Sequence, residues 1–188
     1  MKLPQNIQDA FPVTPLQAGM LFHDIHSADA SMYMQQYSFD VTGEFSAKDF
    51  IYVWMKVLGH YPALRSSFRW EGLSQPAQLV HKHLDMPCRY LDLRHLSVLD
   101  QEDRLAELAR QDREAGFHLA QAPLFRFTLV RIGEREWHML LAFHHIVADG
   151  WSLGLLFHDF HTCWEAVKKH LNLRRKFKNG AKNGFSDN

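Results

Sequence analysis

Residues 142–152 read AFHHIVADGWS: an apolar run ends on two adjacent histidines, and an Asp-Gly pair follows. Upstream, Leu124–Ile132 and Glu136–Phe143 are two long runs of strand character joined at Gly133-Glu134, so they read as a hairpin that delivers its second strand into His144 and His145. Downstream, Ser152 is expected to cap a helix whose Leu153, Leu156, Phe157, Phe160 and Trp164 keep helical spacing. A rigid hairpin, a short loop and a helix therefore frame the histidine pair.

Three chemistries fit that pair. His144 and His145 can end the strand as hydrogen-bonded core residues. His145 and Asp149 can be metal ligands, although the sequence places no third ligand beside them. His145 can also be a general base, because imidazole titrates near neutrality and a strand end fixes its orientation. In that last case Asp149 would be structural, tying the loop back through an arginine while Gly150 permits a tight turn. His158 and His161, one helical turn apart, read as solvated helix-face residues.

Working outward, Thr14-Pro15-Leu16-Gln17 reads as a capped helix start, with the helix reaching about His26. Residues 33–41 have strand character and turn at Thr42-Gly43. Ser46-Ala47-Lys48-Asp49 starts a helix that puts Phe50, Val53, Trp54, Val57 and Leu58 on one face. Pro62 breaks the chain, and short strands are expected in LRSSFRW and around Gln78–His81. A charged helix capped by Asp100 should run to Ala115 and stop at Gly116. This order predicts mixed α and β structure around one sheet.

Composition excludes several classes. With 188 residues, 46% hydrophobic and 13% aromatic, the chain can bury a sizeable core. Its 21 Lys and Arg balance 21 Asp and Glu, so no global field draws it to nucleic acid or to a membrane. Cys88 and Cys163 lie far apart without metal-site spacing, which indicates neither a disulfide framework nor a zinc site. No apolar run reaches the ~18 residues of a membrane span, and a cytoplasmic location is expected. Seven basic residues and no acid occupy 168–182, so 171–188 reads as a basic, disordered tail behind a folded unit of residues 1–170.

The histidine segment His144-His145-Ile146-Val147-Ala148-Asp149-Gly150 resembles the HHxxxDG signature of nonribosomal peptide synthetase condensation domains, relatives of chloramphenicol acetyltransferase. Thr14 to His23, TPLQAGMLFH, resembles the family's first motif in the form common among domains that take D-configured or epimerised donors. His60 to Phe68, HYPALRSSF, is similar to the second motif, usually RHxxLRTxF, with His60 and Tyr61 replacing its arginine and histidine. The resemblance spans about Pro4 to Trp164.

That resemblance implies an α/β fold (α+β sandwich), an acetyltransferase-like lobe with a mixed sheet flanked by helices. It implies amide formation between aminoacyl or peptidyl thioesters on the phosphopantetheine arms of carrier proteins, with no cofactor and no metal bound by this chain. His145 would be the catalytic histidine, His144 would support it, Gly150 would offer a backbone N–H near the developing oxyanion, and Asp149 would hold the loop with Arg65 as its buried salt-bridge partner. Met20, Leu21 and Phe22 of the first motif are expected in the core. The family's second lobe has no counterpart here, so the chain reads as truncated, and a C-terminal lobe in trans or a homo-oligomer would have to complete the cleft. The alternatives are a non-catalytic remnant or carrier-docking module, and a coenzyme A-dependent acyltransferase completed by oligomerisation. Where the second lobe would sit, exposed apolar residues are expected.

Overall fold

The computed structural model describes residues 4–27 and 31–182, with side chains to Lys169. Its centre is β7 (Glu136–His144), whose residues Met139–His144 are all buried. A strand buried on both faces needs covering on both, and the flanking elements supply it. Antiparallel neighbours lie on either side: β2 (Met34–Thr42) pairs along its whole length, from Met34 opposite His144 to Thr42 opposite Glu136, and β6 (Phe125–Arg131) pairs on the other edge. β5 (Cys88–Asp92) adds in parallel to β6, giving a mixed sheet of order β2-β7-β6-β5.

One face of this sheet carries α2 (Ala47–His60) and α4 (Gly150–Lys182). The predicted stripe Phe50, Val53, Trp54, Val57 and Leu58 is buried, and Trp54 sits among Phe125, Phe127, Phe157 and Phe160 at ring-centroid distances of 4.8 to 6.0 Å. Successive strand residues face opposite sides, so while Leu129 joins that core, Val130 joins Leu93 and Leu108 under α3 (Val98–Ala115). Arg126 fixes α3 from the sheet through its Nε to Asp112 Oδ1 at 2.6 Å and through the Gly116 carbonyl at 2.6 Å.

Several expectations are corrected. A second, three-stranded antiparallel sheet, β1-β4-β3, stands beside the first, so the chain is not built on one sheet. It comprises β1 (Ile7–Pro12), β4 (Ala77–His81) and β3 (Ser66–Arg69), the last entered through a 3-10 turn at Pro62–Arg65. Neither β1 nor β5 was expected from the sequence. The α3 cap is Ser97, whose Oγ accepts from Asp100 N–H, and not Asp100. The backbone of α4 runs on through residues 171–182, while 183–188 lie outside the described residues. By contrast α1 (Pro15–His26) starts as predicted, with Thr14 Oγ1 accepting from Gln17 N–H and the Gln17 side chain accepting from Thr14 N–H.

Candidate active site

The histidine pair sits where β7 stops. His144 still belongs to the ladder, its N–H donating to Leu124 O at 3.0 Å, while His145 N–H donates to Tyr33 O at 2.8 Å. A tight turn then forms as Val147 N–H donates back to His144 O at 3.1 Å. Ile146, Val147 and Ala148 bury their side chains beneath the loop, so three apolar anchors hold it. Gln17 of the first motif reaches across, donating from Nε2 to Gln78 Oε1 at 2.9 Å and to Ile146 O at 3.5 Å. This links the start of α1 to the motif loop.

The two rings are held in different tautomers. His145 Nδ1 lies 3.0 Å from Ala148 O. A carbonyl only accepts, so Nδ1 of this half-buried ring carries a proton, and the nitrogen that can hold a lone pair is Nε2. His144 is the reverse: Nδ1 accepts from Ile146 N–H at 3.1 Å, so the proton is on Nε2. That ring is fully buried, and burial, then the neighbouring His145, pushes its pKa down to about 4. His144 is therefore neutral at physiological pH. Among the described residues its Nε2 has no hydrogen-bond partner, and Asp24 Oδ1 of α1 lies at 3.6 Å. Burial raises the Asp24 pKa, with His118 opposing the shift.

Asp149 and Arg65 do not pair, contrary to the expectation. Asp149 Oδ1 accepts from Ser152 N–H at 2.7 Å and from Ser152 Oγ at 2.6 Å, and Leu153 N–H donates to Asp149 O at 3.0 Å. Asp149 is thus the cap of α4, in place of Ser152, and these bonds hold its pKa down. The Arg65 guanidinium is buried elsewhere, donating to Leu58 O at 3.0 Å, Gln8 Oε1 at 3.0 Å and the His81 carbonyl. It ties the end of α2 to β1 and β4 through backbone oxygens and the Gln8 side chain, with no carboxylate among these partners.

Gly150 opens α4 and is exposed, and a Cβ built there would meet nothing within 4 Å. Open space thus lies over the loop backbone beside the histidines. The expectation of a fully buried first motif also needs correction: Met20 and Leu21 are in the core, but Phe22 is 58% exposed. Trp151 and Leu155, one turn apart at the start of α4, are 84% and 53% exposed, as large apolar side chains rarely are in a finished surface. Reasoning from sequence missed Tyr61, whose hydroxyl donates to Asp159 Oδ2 at 2.6 Å and ties the second motif to α4. It also missed Asp24, for which no local signal existed. Among the described residues no three His, Cys, Asp or Glu side chains gather as a metal set, and no helix is long and apolar enough to cross a membrane.

Comparison with known proteins fits this geometry. A family model described as "Condensation domain" matches residues 7–180, extending past Trp164. Two polypeptides of the linear gramicidin synthase of Brevibacillus parabrevis are similar to this chain, one 34% identical over 173 residues and the other 36% identical over 161. Those alignments cover 92% and 86% of this chain but only 2% and 3% of the synthase polypeptides. Among solved structures, a four-domain nonribosomal peptide synthetase, holo-AB3403, matches 87% of the chain over 12% of its own, with TM-score 0.74 and 25% identity. The starter condensation domain of rhizomide synthetase RzmA shares the fold at TM-score 0.77 and 18% identity, over 87% of this chain and 40% of that one.

Proposed function

Because the chain belongs to the condensation-domain family, we propose that its histidine loop serves amide formation between aminoacyl or peptidyl thioesters presented on the phosphopantetheine arms of carrier proteins. The observation that carries this reading is the His145 tautomer: Nδ1–H is spent on Ala148 O, which leaves Nε2 able to accept a proton. The acceptor amine attacks the donor thioester carbonyl, a C–N bond forms and the C–S bond breaks. His145 Nε2 takes the amine proton and returns it to the departing thiolate. The Gly150 backbone, with no side chain over it, leaves room for the carbonyl oxygen as charge develops there. His144 and Asp149 support the loop, as a buried strut and a helix cap.

Such chemistry needs water excluded and both thioesters positioned. Exposed Trp151 and Leu155 beside the motif favour a covering surface, which we assign to a second lobe or to a second copy of this chain. Residues 1–170 would then act as one half of a shared cleft.

Single-turnover amide formation with donor- and acceptor-loaded carrier proteins tests the reading, with His145→Ala alongside. Product that disappears in the variant is expected. A folded chain that gives none, under conditions where a full-length condensation domain works on the same carriers, overturns it and leaves a non-catalytic docking module.

A further inference from the structure

His144 donates nothing that the machinery above uses, yet it is the most enclosed polar side chain of the loop. Its ring forms one corner of a triangle. Nδ1 accepts from Ile146 N–H at 3.1 Å, its backbone N–H and carbonyl hold Leu124 O and Val147 N–H, and Nε2 faces Asp24 Oδ1 at 3.6 Å from α1. The Asp24 side chain is itself only 16% exposed. A buried donor without an acceptor is costly, and among the described residues no group stands within hydrogen-bond distance of Nε2, Asp24 lying just beyond it. If the proton moved to Nδ1, the ring would face Ile146 N–H donor to donor and that bond would be lost. The Ile146 amide immediately follows His145, so the His144 tautomer and the direction of the catalytic ring are linked through one peptide unit.

We infer that Asp24 is a positioning residue: its carboxyl is the acceptor that keeps the proton of His144 on Nε2, and through the His144–Ile146 bond it sets where His145 presents its own Nε2. A carboxyl offers an acceptor oxygen whether or not it is ionised, and a few tenths of an ångström of side-chain movement brings 3.6 Å into hydrogen-bond range. Asp24 touches neither substrate nor reacting atoms, so its effect travels only through His144. The inference rests on the catalytic reading of His145 for its consequence, but its geometry can be tested without turnover.

The test compares wild type, Asp24→Asn and Asp24→Ala in the full chain, using two-dimensional long-range ¹H–¹⁵N NMR of the imidazoles together with Ile146 amide exchange. Asn keeps an acceptor oxygen and Ala removes it. Alanine at this helical position does not lower helix propensity, and circular dichroism checks that each variant is folded. Wild type and Asp24→Asn should both show His144 protonated at Nε2 and a protected Ile146 amide. Asp24→Ala should lose the single tautomer, speed Ile146 exchange and shift the His145 signals. Unchanged His144 and Ile146 signals in a folded Asp24→Ala overturn the inference, as does an Asn variant that behaves like Ala. In the single-turnover amide-forming assay, Asp24→Ala should lower the rate constant at saturating carriers by ~100-fold with the carrier concentration at half-maximal rate unchanged, and Asn should restore most of it. If wild type forms no amide, the proposed function fails, while the NMR arm still decides on Asp24.

Discussion

Neutral His144 in the core makes the stability of the fold depend on pH in a calculable way. Burial, aided by His145, lowers the pKa of this ring from its ordinary 6.5 to about 4. Between those values the unfolded chain binds a proton that the folded chain refuses, so stability falls as pH falls. The contribution is fully present above pH 6.5 and is lost progressively down to about pH 4. One pH unit of differential protonation corresponds to about 1.4 kcal/mol, so His144 alone should account for about 2 kcal/mol of lost stability between pH 7 and pH 5. His81, also lowered mainly by burial, acts in the same direction, and the raised carboxyl of Asp24 opposes at the acid end. Subtraction against His144→Gln isolates the ring, because Gln offers an acceptor and a donor but does not titrate. Urea unfolding of both proteins at pH 7, 6 and 5, extrapolated to water, gives the difference. Equal pH slopes for wild type and variant would refute both the buried, neutral state of His144 and the tautomer reasoning built on it.

Other consequences are separable. Gly150→Ala should fold normally, since the added methyl meets nothing, while amide formation drops because the methyl stands where the carbonyl oxygen must come; circular dichroism and the single-turnover assay give the two readings. Arg65→Gln should cost ~1–3 kcal/mol in urea unfolding by orphaning carbonyls at Leu58 and His81, and its effect should add to that of Asp149→Ser, because the two side chains have separate partners. Trp54→Ala, at a fully buried ring amid five phenylalanines, should cost ~3–5 kcal/mol in the same measurement. Light scattering should show self-association that Trp151→Ser reduces; a clean monomer at high concentration would count against a face in need of covering.

How much of this was legible in the sequence depended on whether the signal was local. The α1 capping box, the α2 stripe and the hairpin into His144 are carried by residues within a few positions of one another, and each lies where the spacing put it. β1 and β5 were missed because they are edge strands whose burial does not alternate cleanly, so the period-two signal is absent. The two misplaced caps show a different limit. Ser97 and Asp100, or Asp149 and Ser152, are each three residues apart and bond to one another, so either member could be read as the cap.

The site divides along the same line. HHIVADG announced the loop, but the roles within it come from contacts far apart in the chain, such as Asp24 with His144 and Gln17 with Ile146. Arg65 is the clearest case. An arginine in one motif and an aspartate in another suggest a salt bridge, since charge is visible in a sequence, whereas the carbonyl oxygens that bind Arg65 belong to every residue and leave no mark there. Where a helix end and two strands converge, the Arg65 Nε and Nη1 find backbone oxygens and the Gln8 side chain, and a carboxylate at a helix N-terminus is satisfied by the Ser152 amide and hydroxyl that it caps. Neither group then needs the other. The loop is therefore held by the α4 cap on one side and by the buried His144 on the other, and loss of function on changing Asp149 should trace to a frayed start of α4 and not to an uncompensated arginine.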